Sequence, residues 1–159
     1  MNRVLWLLTL VSTIVALGLV ACASKPPSPP KPTIVQVTID VQPTVNPDAR
    51  GRPSPIVVRM YTLKSPSSFN SAAFFSLFEK DKETLGADLV DSEEFLLMPG
   101  NKREFKKQLQ PDALSVGVFA AFRDVEWSQW RAVVAVPPNQ LTPVNIRLDD
   151  NKVSIAVGK

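Results

Sequence analysis

Leu114-Ser115-Val116-Gly117-Val118-Phe119-Ala120-Ala121-Phe122 alternates like a β-strand but has no polar face. Leu114, Val116, Val118, Ala120 and Phe122 fall on one side and Ser115, Gly117, Phe119 and Ala121 on the other, none of them charged. A strand of this kind lies inside a sheet and is covered on both faces. The segments around it read as further strands. Val35, Val37, Ile39 and Val41 alternate with Gln36, Thr38 and Asp40 until Pro43 stops the run. Ile56 to Leu63 forms a second strand between Pro55 and Pro66. Leu96-Leu97 leads into Met98-Pro99-Gly100-Asn101, whose Pro-Gly centre suits a type II turn, and Glu104 to Leu109 is expected as the returning strand. Ala132 to Val136 is a short apolar strand halted by Pro137-Pro138. Val144, Ile146 and Leu148 then turn through Asp149-Asp150-Asn151 into Val153, Ile155 and Val157, a terminal hairpin.

One segment departs from that period. Phe74, Leu77 and Phe78 recur at three and four residues, flanked by Ala72, Ala73 and Phe75. This predicts an amphipathic helix of about three turns, with Ser68 or Asn70 as its cap and Gly86 past its end. Seven or eight strands without βαβ alternation make the fold mainly β: a two-sheet β-sandwich over residues 33–159 with a short helical insertion.

Composition narrows the chemistry. The 159 residues contain 18 Lys and Arg, 15 Asp and Glu, one Cys and no His. Without His there is no Ser-His or Cys-His pair and no imidazole metal site. A net charge of +3, with no basic block to concentrate it, gives no footprint for nucleic acid. Glu93 and Glu94 are adjacent, so in a strand they project to opposite faces and cannot share acid–base work. No phosphate-binding loop, nucleophile elbow or calcium loop is present, so neither catalysis nor a metal or cofactor is expected.

The amino terminus reads as an address. Arg3 precedes an apolar run from Val4 to Leu19, and residues 1–21 are expected to be a signal peptide. Leu19-Val20-Ala21-Cys22 resembles the bacterial lipobox, in which the Cys thiol receives diacylglycerol and becomes the mature amino terminus. An uncleaved membrane-spanning helix is the alternative for this run, and the placing of Cys22 at its end favours lipidation. Ala23, where lipoproteins retained in the inner membrane carry Asp, points to the outer membrane. Residues 22–32 then form a lipidated, proline-rich stalk, its last nine residues spanning about 28 Å as polyproline II.

Two further features stand out. Gln42 to Pro55 joins the first two strands through fourteen residues with four prolines, where a hairpin needs two to five; a stiffened loop of that length reads as a binding loop. Trp127 and Trp130 are expected in the core or at a sheet edge, with Arg123-Asp124 and Arg131 forming an ion pair and a cation–π cluster nearby.

Taken in order, several fragments resemble one family. They are Asn46-Pro47-Asp48, Gly51-Arg52-Pro53-Ser54-Pro55 running into Val58-Arg59 and Leu63, Phe69, Phe74-Phe75-Ser76-Leu77 and Leu85-Gly86. Pro99-Gly100, Gly117, Phe122-Arg123-Asp124 and Trp130-Arg131 complete the series. Over almost the whole mature chain the pattern is similar to the TssJ (SciN) lipoproteins of bacterial type VI secretion systems, departing at Phe78, where many relatives have Tyr. The resemblance implies a transthyretin-like sandwich with a helical addition, lipid-anchored on the periplasmic face of the outer membrane. It also implies a partner, the periplasmic carboxy-terminal domain of TssM, within a TssJ–TssL–TssM complex. In that family the loop between the first two strands contributes to TssM binding. Carried onto this chain, the partner-binding residues are Val45, Asn46, Pro47, Asp48, Arg50, Gly51 and Arg52. Arg50 and Arg52 are expected to face partner carboxylates, and Val45 and Pro47 to offer apolar contact. Cys22 carries the covalent lipid and no cofactor is implied. The competing function is a periplasm-facing lipoprotein that carries a small ligand, or acts as a chaperone, through the Trp127 and Trp130 cluster.

Overall fold

The structure, a computed structural model, describes residues 29–158. The expected signal segment, Cys22 and most of the stalk lie outside the described residues. From Lys31 onward the chain is one compact unit of eight strands, β1 (Ile34–Val41), β2 (Ile56–Leu63), β3 (Leu89–Leu97), β4 (Lys102–Gln108), β5 (Ser115–Ala120), β6 (Arg131–Ala135), β7 (Leu141–Leu148) and β8 (Val153–Val157). They form two four-stranded sheets, ordered β4-β1-β7-β8 and β3-β2-β5-β6. The mainly β sandwich read from the sequence is the fold.

The inner faces follow the alternation in the sequence. Val35, Val37, Ile39 and Val41 of β1 and Val144, Ile146 and Leu148 of β7 are at most 2% exposed, facing Ile56, Val58 and Met60 of β2 and Val116, Val118 and Ala120 of β5. β1 pairs antiparallel with β4 and parallel with β7, Val37 lying opposite both Phe105 and Val144. β5 lies between β2 and β6 and is buried on both faces, as its lack of a polar face requires.

A second apolar cluster covers the outer face of β5. Phe69, Phe74, Leu77 and Leu85 pack there with Tyr61, Leu63 and Phe119. The helical segment differs from the single capped helix expected. It consists of α1 (Ser67–Ser71) and α2 (Phe74–Leu85), and α2 is broken at Lys80. Neither Ser68 nor Asn70 caps α2, which begins after Ala73 with no side-chain cap; the Ser68 hydroxyl bonds Asp88 instead. Gly86 ends the helix as expected, at a φ of 51° that favours glycine, and its N–H donates to the Lys82 carbonyl.

Two arginines on the outer face of this sheet replace the missing helical donors. The break at Lys80 frees the Leu77 and Phe78 carbonyls, and Arg59 Nη1 donates to both at 2.9 Å while its Nε bonds Glu94 at 2.6 Å. Arg131 Nη1 donates to the carbonyls of Phe69 at 3.0 Å and Ala72 at 2.6 Å, a cation at the end of α1. Burial first and the Asp81 carboxylate second push the Tyr61 hydroxyl far above its ordinary range, so it stays protonated and donates to Asp81 at 3.2 Å.

The turn at Met98–Asn101 has the expected local form, with Asn101 N–H donating to the Met98 carbonyl at 3.0 Å and Gly100 at φ 78°. It does not close a hairpin. β3 pairs with β2 and β4 with β1, so the turn carries the chain from one sheet to the other. Turn chemistry fixes the reversal but not the partner, and β4 covers the open edge of β1. Phe105 thereby meets Phe95 across the sandwich at 5.7 Å, and Lys107 reaches Asp91 at 2.7 Å and also Glu93.

The four connections β1–β2, β3–β4, β5–β6 and β7–β8 share one end of the sandwich. There Val41 N–H donates to Asn101, Gln42 N–H to Leu148 and Ala121 N–H to Val57. The chain enters the domain at the opposite end, where Ile34 N–H donates to Gln140 and Leu109 N–H to Thr33.

Gly117 has no room for a side chain, since an added Cβ lies 3.1 and 3.2 Å from the Phe69 ring and 3.3 Å from Leu63. Gly117→Ala should therefore cost about 1–3 kcal/mol in urea unfolding; an unchanged midpoint would mean α1 shifts freely. The Thr142 hydroxyl is buried in the core row of β7 and has no hydrogen-bond partner among the described residues. Thr142→Val should stabilise the domain by about 1 kcal/mol, read from the same unfolding curves.

Candidate functional site

The β1–β2 loop is built in two tiers. Its neck belongs to the core. Val45 is fully buried, its N–H bonds the Gln42 carbonyl at 3.1 Å, and its own carbonyl accepts from Ser54 N–H at 3.1 Å. Asn46, also buried, takes a φ of 51°, a conformation Asn tolerates better than most residues. Its N–H donates to the Asp150 carbonyl at 2.8 Å and its Nδ2 to the Pro55 carbonyl at 2.9 Å. Its Oδ1 accepts the Arg123 N–H at 2.9 Å. One side chain thus ties both ends of its own loop and the start of the β5–β6 loop, while its backbone holds the β7–β8 turn.

The tip is organised by Asp48. Its Oδ1 accepts the N–H groups of Arg50 at 2.9 Å and Arg52 at 3.0 Å. Its Oδ2 accepts from Arg52 Nε at 2.8 Å and Nη2 at 2.7 Å. The backbone closes the same ring, with Gly51 N–H on the Asp48 carbonyl at 2.8 Å and Asp48 N–H on that of Arg52 at 2.9 Å. Gly51, at φ 74°, supplies the left-handed step. The Arg52 guanidinium, then the backbone amides of Arg52 and Arg50, hold the Asp48 carboxyl below its ordinary range. Ala49, Arg50, Gly51 and Arg52 remain exposed, and Arg50 makes no ion pair among the described residues.

This placement corrects two of the expected contact residues. Val45 and Asn46 are 0% and 3% exposed, so neither side chain is open to a partner. An apolar residue in the neck completes the core, and a buried amide must satisfy its donors and acceptor inside the fold. The accessible set is Pro47, Asp48, Arg50, Gly51 and Arg52, with Asp48 and Arg52 partly committed to each other.

Beside the tip lies an open cleft of about 480 Å³, lined by Pro47, Asp48, Ala49, Arg123, Asp124 and Asn151. The tryptophans part company. Trp130 packs edge-on against Phe74 at 5.4 Å and Phe119 at 5.8 Å, with Arg131 over its ring at 4.5 Å, as the core and cation–π reading requires. Trp127 is 81% exposed on the β5–β6 loop, contrary to the core or edge role expected. Nothing in the local sequence distinguished the two. Arg123 and Asp124 form no ion pair among the described residues; Asp124 instead accepts the Trp127 N–H at 3.3 Å. Glu93 and Glu94 do diverge, toward Lys107 and Arg59. Among the described residues no three His, Cys, Asp or Glu side chains converge as metal ligands.

Residues 33–155 match the type VI secretion lipoprotein family (VasD, EvfM, TssJ). The chain belongs to that family. Solved structures agree. The T6SS lipoprotein TssJ1 from Pseudomonas aeruginosa superimposes with a TM-score of 0.78 at 34% identity, over 80% of this chain and 98% of that one. A chain of a type VI membrane complex gives 0.68 at 29% identity, over 79% and 99%. A chain in a structure described as the TssM C-terminal domain (869–1107) from EAEC gives 0.65 at 27% identity, over 78% and 98%. Comparison with curated protein sequences gave no match. The family is defined by its place in a secretion system rather than by a reaction, and as lipoproteins its members are membrane-anchored.

The charge pairing at the tip of this family member is testable. The folded pKa of Asp48 is depressed, so its contribution is present above the ordinary carboxylate range and is lost as pH falls through the lowered value. An NMR titration should place the Asp48 midpoint below 3.8, and Arg52→Ala should move it up. A wild-type midpoint at or above 3.8 would mean that the ring is open in solution.

Proposed function

We propose that this protein is an outer-membrane lipoprotein of the type VI secretion membrane complex. It anchors that complex by binding the periplasmic carboxy-terminal region of TssM, within an assembly that includes TssL. The observation that carries this is the braced, exposed loop tip at Pro47–Arg52, at the end of the sandwich opposite the one where the chain enters. The likeness to a chain of a type VI membrane complex supports the setting. So does the matched chain in the TssM structure. Covered to 98% by part of a 159-residue protein, it is too short to be residues 869–1107 itself.

The mechanism is mechanical coupling. Acyl chains on Cys22 hold the protein in the outer membrane, more than one chain being needed for stable anchoring. The proline-rich stalk sets the stand-off and the sandwich grips TssM. The loop is ordered before it meets its partner, so little conformational entropy is lost on docking. Arg50 is left to pair with a partner carboxylate, and Pro47 offers apolar contact beside it. The carrier alternative loses its support, because the two tryptophans do not form one site and the inward rows of both sheets pack against each other.

Calorimetry between the detergent-solubilised lipoprotein and the periplasmic carboxy-terminal domain of TssM tests this. Saturable binding is expected, weakened at least tenfold when residues 48–52 are replaced by Gly and Ser. Val45 and Asn46 stay in place in that variant, since removing them would open the core. No binding by a folded pair would overturn the proposal. Cys22→Ser should move the protein from the membrane to the soluble fraction; retention would point to an uncleaved membrane-spanning segment.

A further inference from the structure

We infer that Trp127 is a second anchor of this docking surface, its indole filling an apolar pocket on the same protein partner that the β1–β2 loop engages. This rests on the proposed binding of TssM. Among the described residues Trp127 is the most exposed of the large apolar side chains, at 81% against 69% for Leu96 and 63% for Phe75. Among the described residues its ring joins no aromatic pair and no cation–π contact. An indole left in water carries much unburied apolar area, and tryptophans of this kind are enriched among residues that dominate interface energy.

The loop that carries it is held. Asp124 accepts the Trp127 N–H, the Ser128 hydroxyl donates to the Val125 carbonyl at 3.4 Å, and Gln129 N–H donates to the Asn151 carbonyl at 2.8 Å. Val153 N–H returns a bond to Gln129 at 2.9 Å. The indole is therefore presented by a fixed turn, which limits the entropy lost on burial.

That turn is continuous with the β1–β2 loop. Asn46 holds Arg123, and Asp124, which accepts the Trp127 N–H, also lines the cleft with Pro47, Asp48 and Ala49. Charge at this end is mixed: Arg50, Arg52, Lys102, Arg123, Arg147 and Lys152 stand against Asp40, Asp48, Asp124, Glu126, Asp149 and Asp150. A balanced surface gives no attraction for a phosphate backbone or an anionic bilayer. It suits a protein surface with an apolar pocket and a polar rim.

The test uses the full-length lipoprotein in detergent and the TssM periplasmic carboxy-terminal domain. Trp127→Ala should leave the thermal midpoint unchanged and weaken binding at least tenfold. Saturating TssM should also shift the wild-type indole emission to the blue, and Trp127→Phe should lose that shift. Unchanged affinity and emission in these variants, with wild type still binding, would overturn this inference and leave the proposed function standing. No binding by wild type would overturn both. A blue shift with phosphatidylethanolamine–phosphatidylglycerol vesicles but none with TssM would assign the indole to lipid and overturn the inference.

Discussion

A fourteen-residue loop between two sandwich strands can keep a fixed shape only if its buried backbone groups find partners, and here Asn46 supplies them. Its amide accepts from Arg123 and donates to Pro55, while its N–H reaches Asp150. Three chain segments that are far apart in sequence are thereby fixed at one end of the molecule. An unmet amide at this depth would cost about 1–3 kcal/mol. The exposed tip inherits its order from this buried residue, through the ring of bonds centred on Asp48.

The helical side solves a different problem. β5 is apolar on both faces, so one sheet needs cover that a two-layer sandwich does not provide. The insertion between β2 and β3 supplies it, but as two short helices, one of them broken, whose ends leave carbonyls unpaired. Arg59 and Arg131 project from the sheet to those carbonyls and lock the cover in place. The same Arg131 lies over Trp130, so one side chain secures both α1 and the aromatic cluster beneath it. Both arginines fall within the fragments on which the family resemblance rests, and their work is structural.

The two ends of the sandwich are thus specialised. One receives the chain; the other gathers four connections, the cleft and the exposed indole of Trp127. In the proposed role, tethered by its amino terminus and holding a partner at the far end, the domain would carry force along its strands. Strands pulled lengthwise resist through many backbone bonds at once. β1, bonded on both sides to β4 and β7, joins the two ends directly.

The alternation in β1 and β7 made both the strands and their buried rows legible, because a period of two against one core leaves a single solution. The apolar faces of β5 announced its central place, and the run of fourteen residues with four prolines announced a long β1–β2 connection. Which strand pairs with which was another matter. The Pro99-Gly100 turn looked like a hairpin, but the open edge of β1 drew β4 into the other sheet. Burial of Val45 and Asn46, like exposure of Trp127 close to a half-buried Trp130, depended on neighbours remote in sequence, such as Arg123 and Asp150 around Asn46. The sequence by itself determined the strands, their inward rows and the loop; tertiary structure alone decided which loop residues are buried and which are open to solvent. Periodicity is a local property of the chain, whereas exposure depends on what the rest of the fold brings alongside.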